Sequence, residues 1–213
     1  MSIRKKTLYV ILLVVMAACF TSMFFSFQPK SAAAWTGTKL ITISSDTTWD
    51  NIRLDPDTTY EIKNGVKVTL VGKITVRGNI TITGGTIRTT PEAKGYFDTG
   101  YEYTFTLNDV TIDGEGNEYS DPIIDNGNSK TIINLNRCTI KDYKIRKNNS
   151  AGIIELYGSA LNITNSTITG CTGGVSMIST DAGAGSVNKI KITSSNITDN
   201  KKRVFSGGSK EIT

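Results

Sequence analysis

The sequence predicts an all-β chain wound as a single right-handed parallel β-helix, a solenoid of about six coils behind a short N-terminal cap. Three observations predict it. A motif recurs about every 28 residues, an isoleucine occupies the same place in each copy, and the intervening positions are small or β-branched.

Five segments read alike: Thr81–Ile87, Thr106–Ile112, Asn134–Ile140, Asn162–Ile168 and Lys191–Ile197. Their second residues, Ile82, Leu107, Leu135, Ile163 and Ile192, lie 25, 28, 28 and 29 apart. Two positions earlier stand Ile80, Phe105, Ile133, Leu161 and Ile190. Five positions later stand Ile87, Ile112, Ile140, Ile168 and Ile197. Within each apolar pair the residues alternate with the period of a strand that buries one face. Between the pairs the phase slips by one residue, so the chain must bend there. Each repeat thus supplies two short strands, and the small residues Gly85, Val110, Cys138, Ser166 and Ser195 follow the bend.

Equivalent side chains in successive coils stack about 4.8 Å apart. Ile87, Ile112, Ile140, Ile168 and Ile197 then form a core ladder that no single repeat could bury alone. Thr86, Thr111, Thr139 and Thr167 form a parallel outer column, continued by Asn196. An antiparallel sandwich also has short alternating strands. It needs hairpin turns every 8–12 residues, however, and no Asn-Gly or Asp-Gly separates most of these pairs.

Residues 1–34 read as a leader. Arg4, Lys5 and Lys6 precede an apolar run from Thr7 to Phe27, and Ser31 to Ala34 supplies small residues for a signal peptidase. The expectation is a cleaved signal peptide. An uncleaved signal anchor and a lipoprotein site at Cys19 are the alternatives, and all three place the rest of the chain outside the cytoplasmic membrane. Residues 35–57 are expected to cap the stack, with Lys39–Ile43 as a first strand, Thr47–Leu54 as a turn or short helix and Trp49, Ile52 and Leu54 as the cover. The alternative for Trp49 is a sugar-stacking ring. Residues 58–213 form the solenoid. Ser209–Thr213 looks like the start of another strand, so a shortened relative of a longer protein is one reading of the whole chain.

Charge excludes one class of partner. The chain has 24 Lys and Arg against 19 Asp and Glu, but the leader carries four of the basic residues and none of the acidic ones. Removing it leaves 20 against 19, a near-neutral chain with no basis for nucleic-acid binding. Nothing after the leader is apolar enough to cross a membrane again. Cys138 and Cys171 differ by five positions around the coil, so no disulfide is expected.

The stretch Ala151–Cys171 resembles the coil unit of the pectate-lyase-like, right-handed parallel β-helix superfamily. It is particularly similar to repeats of bacterial and archaeal surface adhesin-like proteins. The resemblance implies either extracellular binding or action on polysaccharides, since the superfamily includes lyases and glycosidases.

The enzyme reading finds few groups to work with. There is no histidine, the commonest proton-transfer residue. Asp142 and Asp199 share a column, but Gly170 lies between them. The segment Asp113-Gly114-Glu115-Gly116-Asn117-Glu118 has alternating oxygen side chains suited to Ca²⁺, with Asp113, Glu115 and Asn117 as its ligands. Arg137 lies one coil further on, which makes Asp113, Glu115 and Arg137 the candidate catalytic set of a lyase or hydrolase. The same Asp and Gly content is what an exposed turn requires. The leading expectation is therefore a secreted or cell-surface module without catalysis or cofactor, binding an extracellular glycan or protein.

Overall fold

The computed structural model describes residues 38–213 apart from 92–93, 101, 128–129, 147–150, 182–186 and 209. The predicted leader at 1–34 lies outside the described residues. Within them the chain is a parallel β-solenoid with no helix, built from three long sheets and one two-stranded ribbon.

The first sheet stacks eight strands: Lys39–Ile43, Thr58–Ile62, Ile80–Thr83, Thr104–Asn108, Ile132–Asn136, Ala160–Thr164, Asn188–Thr193 and Lys210–Ile212. The second stacks seven: Thr47–Trp49, Lys67–Leu70, Thr86–Thr89, Thr111–Asp113, Thr139–Lys141, Thr167–Thr169 and Asn196–Thr198. All neighbours pair in parallel and in register. Ile87, Ile112, Ile140, Ile168 and Ile197 are consecutive partners in the second sheet. The first four are essentially inaccessible, whereas Ile197 is half-buried in the last coil.

A third sheet has no counterpart in the two-strand repeat. It stacks six strands: Lys73–Thr75, Tyr96–Asp98, Ile124–Asp125, Ile154–Tyr157, Ser176–Asp181 and Arg203–Gly207. A ribbon of Glu118–Tyr119 and Lys144–Ile145 fills the corner before it in two coils. There the rings of Tyr119 and Tyr143 stack 4.4 Å apart.

The bend between the first and second sheets has a specific backbone. Gly84, Asp109, Arg137, Asn165 and Ser194 all adopt positive φ, between 49° and 74°. This left-handed step turns the chain through the phase slip, and short polar residues tolerate it better than β-branched ones. Each corner N–H donates to the next coil: Gly84 to Asn108 O, Asp109 to Asn136 O and Arg137 to Thr164 O, all at 2.9 Å. The small column behind the corner locks the coils further. Ser166 Oγ accepts the Cys138 N–H at 3.0 Å and donates to Leu135 O at 3.1 Å. Ser195 repeats the arrangement one coil on. At Gly85 a Cβ would lie 2.1 Å from Ile62 Cγ2, so no side chain fits there.

Lys39–Ile43 is the strand the sequence suggested, and the departure lies in the first part of Thr47–Leu54. Thr47–Trp49 is neither a turn nor a helix but a strand paired with Val68–Leu70. Lys39–Ile43 pairs with Thr58–Ile62, so residues 39–49 are already solenoid. The repeat hides this because Thr58 and Tyr60 occupy the inward positions held by Ile80 and Ile82 in the next coil. Thr58 is tolerated inside because its hydroxyl donates to Pro56 O at 3.0 Å. Trp49 is 7 % exposed and packs edge-on against Tyr60, which leaves no open ring for a sugar.

Truncating the ladder tests this packing. Ile140→Ala should lower the unfolding free energy by about 2–5 kcal/mol. Ile197→Ala, in the half-covered last coil, should cost clearly less. Urea unfolding of the two variants measures both, and equal losses would contradict a ladder buried from the middle outward.

Candidate functional site

The predicted trio is dispersed among separate ion pairs. Arg137 lies at a left-handed corner and forks onto Asp109 directly below it, Nε to Oδ1 and Nη2 to Oδ2, both at 2.7 Å. Asp113 occupies the outer column Arg88–Asp113–Lys141 of the second sheet. It takes the Lys141 ammonium at 2.7 Å and the Glu115 N–H at 2.9 Å. Glu115 reaches the other way, to Arg88 at 3.1 Å. Two carboxylates and two cations thus balance across three coils.

Oxygens of the Asp113–Asn117 loop are engaged within the protein. One Asp113 oxygen accepts a backbone N–H and the other a lysine, and the Gly116 carbonyl accepts Lys144 Nζ at 2.8 Å. The Gly114 carbonyl accepts the Tyr119 hydroxyl at 2.9 Å. Burial pushes the Asp113 pKa up, but the Lys141 and Glu115 hydrogen bonds and the Lys141 charge outweigh it and hold the carboxyl below its usual range. Arg137 does the same to Asp109. Among the described residues no group of three or more His, Cys, Asp or Glu is placed to share a metal ion.

The third sheet supplies carboxylates that the repeat does not reveal. Asp98, Asp125 and Glu155 are register partners on three successive coils, all on the outer face. Neighbouring coils put their backbones about 4.8 Å apart. Asp98 is paired with Lys73 at 3.3 Å. Asp125 and Glu155 have no ion pair or side-chain hydrogen bond among the described residues. Partial burial raises the pKa of both, and like charges add to it: Asp98 and Asp121 around Asp125, Asp125 and Asp181 around Glu155. Beyond Glu155 the column continues as Ser179 and Ser206, beside a hollow of about 370 Å³ that Asp181 and Arg203 also line.

The outer face of the first sheet is chemically different. Two of its columns are Thr59–Thr81–Thr106–Asn134–Asn162–Lys191 and Glu61–Thr83–Asn108–Asn136–Thr164–Thr193, and a third, Thr104–Ile132–Ala160–Lys189, borders them with Ile132 exposed. From Thr81 to Thr164 every position in the first two columns is Thr or Asn. The amides are tied between coils: Asn134 Nδ2 donates to Thr106 Oγ1 at 3.1 Å, and Asn162 Nδ2 to Asn134 Oδ1 at 2.8 Å. Asn136 Nδ2 donates to Asn108 Oδ1 at 2.9 Å. From Thr81 to Thr164 the result is a polar lattice about 4.8 Å by 6.6 Å without charge. At its C-terminal end lies a hollow of about 270 Å³ lined by Asn162, Lys189, Lys191 and Glu211.

Cys138 and Cys171 are free buried thiols. Burial raises both, Cys171 to about 11, so neither is a nucleophile at neutral pH. Among the described residues no helix is long and apolar enough to cross a membrane.

No protein-family model, curated protein or solved structure matches the chain.

The stacked carboxylates carry a pH signature. A folded carboxyl pKa above the unfolded value contributes stability below the unfolded pKa and loses it as pH rises through the folded one. Asp125→Asn with Glu155→Gln should therefore gain stability over the parent between pH 4 and pH 7, with the gap widening upward. The depressed Asp109 and Asp113 act below that window. Urea midpoints across the range read the effect, and a gap independent of pH would contradict it.

Proposed function

We propose that this chain is a secreted or cell-surface, adhesin-like binding module without catalysis, whose ligand is a neutral glycan laid on the first sheet. The observation that carries this reading is the uncharged Thr/Asn lattice from Thr81 to Thr164. Hydroxyls and amides both donate and accept, so they suit a ligand that presents hydroxyls in either sense. Because the amides are already held coil to coil, little side-chain freedom is lost on binding. The export signal read from residues 1–34 and the near-neutral remainder agree with an extracellular partner that is not a polyanion.

The test is a glycan array and an extracellular-matrix protein panel, probed with the full chain. Binding to neutral extended glycans is the expected result. Asn134→Asp with Asn136→Asp should weaken it about tenfold or more, measured at a temperature where circular dichroism shows the variant folded, since the substitutions also remove two coil-to-coil hydrogen bonds. Binding only to proteins, or binding that survives those substitutions, overturns the proposal.

One observation favours a second reading, a glycoside hydrolase. A retaining glycosidase needs two carboxyl groups about 5–5.5 Å apart, one of them kept protonated. Asp125 and Glu155, on adjacent coils with raised pKa values, meet that description in outline. Release of reducing ends from a polysaccharide panel, abolished by Asp125→Asn or Glu155→Gln, would support it. A complete lack of release removes it.

A further inference from the structure

A different surface carries an inference independent of the first-sheet reading. At the corner between the second and third sheets, four residues stand on successive coils: Glu118, Lys144, Thr172 and Lys201. Glu118 pairs with Lys144, and Lys144 bridges to Thr172. The Lys201 N–H donates to Cys171 O, which sets Lys201 one coil above Thr172. Together with Ile145 and Lys202 these residues line a hollow of about 370 Å³. Its floor is solenoid, since Ile145 and Cys171 are buried.

The charge in this hollow is unbalanced. Seven cations elsewhere, among them Arg88, Arg137 and Lys141, each lie within 4 Å of a carboxylate. Here Lys144, Lys201 and Lys202 have no ion pair among the described residues, and Glu118 is the one acidic residue lining the site. Lys144 Nζ is anchored on the Gly116 carbonyl at 2.8 Å, which fixes one ammonium at the rim. The Thr172 hydroxyl has no hydrogen-bond partner among the described residues. Asp199 lies two residues before Lys201 but does not line the hollow.

We infer that this corner is a binding site for a tetrahedral oxyanion, a phosphate or sulfate group. Three ammoniums against one carboxylate leave two positive charges, which match a dianion. Lysine supplies point charges with several donors each, and the threonine hydroxyl adds a donor between the flanking lysines. The coil spacing puts Lys144 and Lys201 about 10 Å apart at the backbone, so Lys201 and Lys202 have to reach back across Thr172 toward the ammonium that Lys144 holds at the Gly116 carbonyl. Glu118 opposes the anion from one end and limits affinity.

The experiment titrates the full chain with inorganic phosphate, sulfate and acetate at pH 7.5 and constant ionic strength, following thermal unfolding. Ionic strength is fixed because exposed charges are screened. Phosphate or sulfate should raise the unfolding temperature saturably, and acetate should not. A response to one of the two alone identifies the source of the tetrahedral group. Lys201→Gln with Lys202→Gln should weaken the response about tenfold, and Glu118→Gln should strengthen it several-fold. These residues are exposed or lie on the corner, so folding survives their replacement. A response no greater than with acetate, or one indifferent to all three substitutions, overturns the inference. None of these outcomes bears on the Thr/Asn lattice, which lies on the first sheet.

Discussion

Everything in this molecule depends on inward side chains of successive coils lying directly over one another. A coil alone is a loop of short strands with an apolar inner rim and no interior. Covered above and below, the same rim becomes part of a continuous dry column. The contrast along the stack makes the point. Ile112, Ile140 and Ile168 in the middle are fully enclosed, while Ile192, Ile197 and Phe205 in the last complete coil are only partly so. Parallel register enforces this arrangement, because a slip of one residue would turn every inner side chain outward.

Register also explains which charges meet. Surface groups on this scaffold find partners mainly one coil away, at spacings near the repeat length. Arg137 meets Asp109 and Lys141 meets Asp113, each 28 residues distant. Such exposed pairs contribute little stability individually. Their effect here is to neutralise one face. Where a column breaks the alternation, charge accumulates, negative along Asp98, Asp125 and Glu155 and positive along Lys144 and Lys201.

The columns of the first two sheets are legible in the sequence because nothing variable lies between them. A one-residue slip joins the paired strands, and identical isoleucines mark the far side. The third sheet was hidden because its inner residues, Ile74, Phe97, Ile124, Ile154, Ile178 and Phe205, are 23 to 30 residues apart in an irregular order. Corner insertions such as Glu118–Tyr119 absorb the difference. The Asp98–Asp125–Glu155 column travels with that sheet and was hidden with it. The dispersal of Asp113, Glu115 and Arg137 was open to inspection. Arg88, Asp113 and Lys141 each fall six residues past Ile82, Leu107 and Leu135, so their stacking follows from the same alignment that revealed the core.

The regular left-handed corner has a consequence for how such a molecule changes over time. Asp109, Arg137 and Asn165 close their bends in the same way and pass the same hydrogen bond upward, 28 residues apart. A cut and rejoining between two equivalent corners would remove one whole turn and still bring isoleucine onto isoleucine in the second sheet, although the ion pairs and the third sheet would meet new partners. Duplication would lengthen the rod just as cleanly. The length of the stack can therefore be tuned by recombination without redesigning the isoleucine ladder.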